Sequence, residues 1–236
     1  MENQIELVGA SMSALTGRLR AAAHNIANVN TTGYKRVHAS FAGALAAQTG
    51  QPADAALTLD LTQGSLTRTG RPLDLALHGE GFFVIETPQG PLYTRNGTFA
   101  VNANRQLVDT SGRTVSGDSG PITLPPGVSP LDVTVSADGA VAAGAQQIGR
   151  LKLVAFADPS VLRPVGSSGF KSASPAAPAE AAETTVQQGH LEGSNVSAVE
   201  ELVNLITITR LYQGNAKSIE SKGDGMDYLL DVAMGS

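Results

Sequence analysis

Residues 5–29, IELVGASMSALTGRLRAAAHNIANV, decide the fold. Apolar or small side chains fall at Ile5, Val8, Met12, Leu15, Leu19, Ala22, Ile26 and Val29. The steps alternate three and four, the repeat of a coiled-coil seam. A helix carrying such a seam needs another helix to bury it. The far end of the chain offers one. Leu202, Leu205, Thr209, Tyr212, Ala216, Ile219, Gly223, Met226, Leu230 and Ala233 repeat the same steps. The expected fold class is α+β: long terminal α-helices pairing as a coiled coil, with a central all-β domain of short antiparallel strands.

Both helices carry boundary signals. The first runs into Asn25, Asn28, Asn30, Thr31, Thr32 and Gly33, residues that tolerate the left-handed conformation closing a helix. The second begins at a capping box, Ser197 with Glu200. Beyond its seam it also carries Val199, Val203, Ile206, Ile208, Leu211 and Leu229, spread around the cylinder. A helix apolar on most sides must be buried on most sides, which one partner helix cannot supply. Gly9, Gly17, Gly214, Gly223 and Gly225 each cost roughly 1 kcal/mol against Ala, so these helices depend on tertiary or quaternary burial.

Between the helices the period changes. Residues 37–51 are Ala-rich and 50–54 read as a loop. LTLDL sets Leu57, Leu59 and Leu61 on one strand face, and LDLALH does so with Leu73, Leu75 and Leu77. FFVI (residues 82–85) reads as a buried strand. Asn96-Gly97 predicts a hairpin turn between residues 93–95 and 98–101. Leu131, Val133 and Val135 predict a further strand, and residues 148–156 a longer one with Leu151, Leu153 and Ala155 on one face. The glycines of HGEGFF (residues 78–83) predict a turn of positive φ at Gly79 or Gly81. Residues 167–183, rich in Ser, Ala and Pro, read as an irregular excursion, after which a strand near 184–188 returns the chain. The expected organisation is residues 1–33 as the N-terminal helix, 34–68 as an extended connection, 69–194 as the β domain and 195–236 as the C-terminal helix.

Composition narrows the function classes. A net charge of −5 with scattered Lys and Arg argues against nucleic-acid binding. Cysteine is absent, which excludes disulfides and Cys-ligated metals. No run of about 18 apolar residues exists to span a membrane. MENQIELVGA is acidic without a compact apolar core, so no cleavable secretion signal is expected. The 4 histidines, His24, His38, His78 and His190, have no metal-ligand spacing. HGEGFF lacks the G-x-S-x-G elbow of a hydrolase, the second His of a zincin helix and the third Gly of a dinucleotide loop. No catalytic residue, cofactor or metal site is expected.

Three blocks resemble the axial proteins of the bacterial flagellum, the rod and hook proteins of its basal body. They are HNIANVNTTGYKR (24–36), the stretch from Gln63 to Gly112 with GEGFF and YTRNGTF, and QGHLEGSNVSAVEELVNLITITRLYQGNAKSI (188–219). Departures are His24 in place of an Asn, Arg105 in place of a turn Gly, and Gly223 with Gly225 inside the last helix. Length and the LEGSNVSAVEELV wording are most similar to the proximal rod subunits, with the distal rod second. The resemblance implies a structural subunit of the periplasmic rod, exported through the flagellar type III apparatus. Implied partners are copies of itself, other rod proteins and that apparatus. The implied assembly interface comprises Ile5, Val8, Met12, Leu15, Leu19, Ile26, Asn28, Thr32 and Gly33. From the second helix it takes Val199, Leu202, Val203, Ile206, Thr209, Tyr212, Ile219, Met226 and Leu230. The competing class is a β-domain binding module or enzyme with helical dimerisation ends, whose helices would be apolar on one stripe only.

Overall fold

The fold is that of a computed structural model, which describes residues 2–39, 57–166, 168–174 and 178–234, with side chains described from residue 9 to 218 within those spans and at 220. Of the Ala-rich stretch expected at 37–51 only the short strand Val37–Ala39 is described; the rest of it, and the loop expected at 50–54, lie outside the described residues. Among the described residues the chain is α+β, with two α-helices and a β-rich centre of short antiparallel strands. It divides into two compact units, 1–27 with 37–58 and 197–236, and 28–36 with 59–196.

The first unit holds α1 (Glu2–Ala27) and α2 (Ala198–Met234). Helix α2 starts where the capping box puts it, with Glu200 N–H donating to Ser197 Oγ at 3.4 Å. It runs unbroken through Gly223 and Gly225. Asn215 Nδ2 donates to Ser11 Oγ at 3.0 Å, so the two helices touch. The stripe each helix buries differs from the seam expected of it. On α1 the buried positions are Ala10, Ala14, Ala21 and Asn25, with Leu15 and Ala22 beside them. Of the expected seam, Leu15 and Ala22 are buried, Met12 and Ile26 half-buried and Leu19 exposed; at 3.6 residues per turn Met12 and Leu19 lie across the cylinder from the alanine stripe. On α2, Glu201 and Ile208 are buried while Leu202 is half exposed. Small alanines let helix backbones approach closely, and the apolar repeat alone does not say which stripe does so.

The second unit is built on FFVI. All of Phe82–Ile85 is buried. Phe83 and Ile85 enter a large core with Leu73, Leu75, Leu77 and Phe99. Phe82 and Val84 point to the other face, with Tyr93, Val154, Leu162 and Phe170. A strand apolar on both faces belongs in the interior of a sheet. It does lie there: Phe82–Ile85 is flanked by Leu92–Thr94 and Leu153–Ala155 in a six-stranded sheet. Leu75–His78 pairs with Thr185–Gln188, the expected returning strand. Gly79 has φ +101°, as the turn before FFVI requires.

Four expectations are corrected. Asn96-Gly97 does not make a hairpin. Leu92–Thr94 pairs with Phe82–Ile85 and Gly169–Ser172, whereas Ala100–Val101 pairs with Leu107–Val108. Gly97 serves instead as a close-approach site, since a Cβ there would lie 1.7 Å from the Leu75 carbonyl oxygen. Leu131 stands 76% exposed in a short 3₁₀ turn, and the strand begins only at Val133. The long strand at 148–156 is two, Gln146–Arg150 and Leu153–Ala155, in different sheets. The excursion at 167–183 contains Gly169–Ser172, an interior strand of the six-stranded sheet that seats Phe170. Ser- and Pro-rich flanks concealed it.

Arg105 stands where the resemblance has a turn glycine. It takes φ +61°, the glycine conformation, without loosening its hairpin. Its Nε donates to Leu124 O at 3.1 Å and its Nη2 to Val128 O, so the guanidinium ties down the strained residue.

Candidate assembly faces and a buried ionic junction

Within the second unit, separate stretches converge on the carboxylate of Glu192, which is fully buried. Lys35 Nζ donates to its Oε1 at 2.7 Å and Arg95 Nη1 to its Oε2 at 3.3 Å. The Gly64 amide adds a third bond to Oε1 at 3.0 Å, and the Glu192 carbonyl accepts from Gly33 N–H at 2.8 Å. Lys35 also donates to Thr62 O at 2.6 Å, and Arg95 Nη2 to Gly79 O at 2.7 Å. The Arg95 guanidinium stacks over Phe82, 5.3 Å from the ring centroid. Burial pushes the Lys35 ammonium below the ordinary lysine range while the Glu192 carboxylate pulls it back up. Burial acts on Arg95 the same way, again opposed by Glu192. Two cations around one carboxylate in a low-dielectric interior hold only while every partner is present.

Backbone geometry closes the junction. Gly33 has φ +67°, and a Cβ on it would lie 2.3 Å from Asn96 N. A Cβ on Gly64 would lie 2.1 Å from Gly193 O. Asn195 clamps the next layer: its Oδ1 accepts from Arg36 N–H at 2.7 Å and its Nδ2 donates to Asp60 O at 2.9 Å. In the first unit Asn25 acts alike. Its carboxamide accepts from Val37 N–H and donates to Val37 O, both at 2.9 Å, as a neighbouring strand would. It also donates to Glu201 Oε1 at 3.2 Å. None of these groups is arranged as a nucleophile beside a base. The chemistry is that of a clamp holding segments distant in sequence.

The expected interface residues fall into groups. Val199, Leu202, Val203 and Ile206 are all more than half exposed, and together they form one uncovered stripe of α2. It lies on the side of the cylinder opposite the buried Ile208. Leu211 and Tyr212 are also exposed, on the Ile208 side of the cylinder rather than beside this stripe. On α1, Leu19 is exposed, Met12 and Ile26 are half-buried and Leu15 is buried. Thr209 is half-buried and spends its hydroxyl on the Leu205 carbonyl at 2.8 Å. Asn28 and Gly33 are buried and Thr32 half-buried in the turn after α1. The side chains of Ile5, Val8, Ile219, Met226 and Leu230 lie outside the described residues.

Lys35, Arg95 and Glu192 were not expected as a site. They stand inside the quoted blocks, but nothing in sequence spacing couples residues this far apart. The available signal was a charge within two residues of a glycine, as in GYKR and HLEGS.

Three family models match the chain. One for flagella basal body rod proteins covers residues 9–35, one for the flagellar hook protein FlgE/F/G D1 domain covers 76–143, and one for the flagellar basal body rod FlgEFG protein C-terminal covers 187–232. The flagellar basal-body rod protein FlgF of Caulobacter vibrioides is 35% identical, over 95% of each chain. FlgG of Agrobacterium fabrum is 36% identical over 91% of this chain and 93% of its own. FlgF of Rhizobium meliloti is 32% identical over the whole of both. The chain belongs to the flagellar basal-body rod proteins. It is therefore a structural protein and not an enzyme, and its place is the flagellar basal body. Each stretch matched in this rod protein supplies one charged member of the junction, Lys35, Arg95 and Glu192 in turn.

Proposed function

We propose that this rod protein is a proximal-rod subunit that assembles helically through its terminal helices into the drive-shaft carrying torque from motor to hook. The observation that carries the reading is the stripe Val199, Leu202, Val203 and Ile206, four large apolar residues in water on the side of α2 away from its own partner helix. Exposed apolar area is worth about 25 cal/mol per Å² once covered, and this stripe has the spacing that another helix covers best. Neighbouring copies supply that helix, and the terminal segments 1–33 and 195–236 pair as a coiled coil. The interface includes Leu19 and Ile26 of α1, the turn residues Asn28, Thr32 and Gly33, and Thr209 and Tyr212 of α2. Ile5, Val8, Ile219, Met226 and Leu230 extend it toward the helix ends. The subunit travels unfolded through the flagellar type III apparatus and assembles in the periplasm with copies of itself and other rod proteins.

The length of 236 residues and the LEGSNVSAVEELV wording favour the proximal over the distal rod. Sedimentation of the purified protein over a concentration series tests the reading. The wild type is expected to form fast-sedimenting polymer; a monomer at every concentration overturns it.

A further inference from the structure

The last stretch of the second unit, residues 184–195, is bonded to segments spread from Gly33 to Ala137. Thr185–Gln188 is the one strand paired with Leu75–His78 among the described residues, and His190–Glu192 the one strand paired with Leu66–Arg68. Val186 enters the large core with Leu75 and Leu77. Gln188 bridges three segments: its Nε2 donates to Pro72 O and to Val133 O, both at 2.8 Å, and its Oε1 accepts from Val135 N–H at 3.2 Å. Thr184 Oγ1 donates to Glu80 O, and Gly193 N–H to Ser65 O at 2.8 Å. Glu192 is the carboxylate that pairs both buried cations, and Asn195 ties Arg36 to Asp60. Every one of these partners stands earlier in the chain than residue 184.

Without this stretch the earlier residues cannot close a stable unit. Leu75, Ala76 and Leu77 are fully buried, and their strand would be left an unpaired edge. Lys35 and Arg95 would enter the interior with no anion, a penalty comparable with the whole stability of a domain. The order of delivery makes this consequential. Arg95 precedes Glu192 by 97 residues, about 5 s or more at synthesis rates of about 5–20 residues per second. β-rich domains fold in about milliseconds to seconds, which leaves time for an early core. The uncompensated cations are what prevent it. We propose that residues 184–195 are a clasp that gates folding: the second unit holds no stable native structure until this stretch docks, with Glu192 as its catch. A chain delivered N-terminus first, by synthesis or through a narrow channel, thereby stays threadable until nearly the whole β unit is out. The clasp is a property of the monomer and does not depend on the rod reading above.

Hydrogen exchange followed by mass spectrometry on full-length monomer tests it. If the clasp gates the unit, opening the clasp is global unfolding of the unit. The slowest amides of residues 185–192 and those of 82–85 are then expected to exchange with the same opening free energy and the same urea dependence. Val186→Ala trims the clasp and leaves the charges paired; it is expected to speed exchange in both segments by one common factor of about tenfold. Glu192→Gln is expected to speed both by about 100-fold or more, with complete loss of protection at 82–85 as the extreme of the same result. A wild-type clasp that exchanges at a lower free energy while 82–85 stay protected overturns the gate. So does a Val186→Ala variant that speeds 185–192 alone. Neither outcome requires polymer, so failure of the gate leaves the rod reading standing.

Discussion

Glu192 is the residue on which most of the second unit's long-range order converges. Replacing it with Gln keeps the shape and removes the charge, leaving Lys35 and Arg95 buried with no anion. Breaking a buried pair in this way costs about 3–5 kcal/mol, and the cost here falls on two cations at once. Glu192→Gln is therefore expected to lower the melting temperature by about 10 °C, on the scale of about 2–4 °C per kcal/mol for a unit of this size. A variant that melts with wild type would show the junction to be incidental. Single residues were unevenly legible in the sequence. The positive φ of Gly79 followed from a turn into a buried strand, and Leu73, Leu75 and Leu77 followed from alternation. Lys35 and Glu192 stand 157 residues apart, and neither periodicity nor spacing carries information about such a pair. Gly97 was misread for a physical reason: an Asn-Gly step is the same in sequence whether the glycine supplies a left-handed turn or room for a passing carbonyl.

At the scale of elements, the two faces of α2 make opposite predictions. Ile208 is buried and Ile206 is half exposed, two positions apart on one helix. Ile206→Asp is expected to leave melting unchanged and abolish polymer. Ile208→Asp puts a carboxylate into the helix pair and is expected to destabilise the monomer itself. Circular dichroism melts beside sedimentation read both, and identical behaviour of the two variants would contradict the division into inner and outer faces. The turn before FFVI has its own test. Gly79 needs its positive φ, and a Cβ on Gly81 would lie 2.7 Å from Thr184 Oγ1. Gly79→Val/Gly81→Val is thus expected to unfold the β unit, seen as loss of its tertiary signal; a native melt of the double variant would count against this turn. The repeat of threes and fours made both helices legible, but not which stripe each turns inward. That choice depends on the alanine face of α1, which the apolar count undervalues.

For the whole molecule, the helix termini are expected to be the weakest part of the free monomer. Their glycines cost roughly 1 kcal/mol each and their large apolar residues face water. Ordering each residue costs a further 1–2 kcal/mol or so of backbone entropy, which a lone helix pair recovers poorly. Limited proteolysis of monomer is expected to trim both terminal helices and spare the second unit, residues 28–36 with 59–196. Resistance of both termini at monomer concentration would contradict their being the weakest part. The α+β class and the order of its parts were legible because helix and strand periods differ so plainly along the chain. The pairing of strands across the centre was not, since Gly169–Ser172 joins the sheet from a stretch whose composition reads as loop. The central claim is that neighbouring copies cover the outer stripe of α2. A helical reconstruction of the wild-type polymer by electron cryomicroscopy tests it most directly. The expected map buries Val199, Leu202, Val203 and Ile206 against a terminal helix of another copy; a map that leaves this stripe in solvent, with the subunits joined elsewhere, would contradict it.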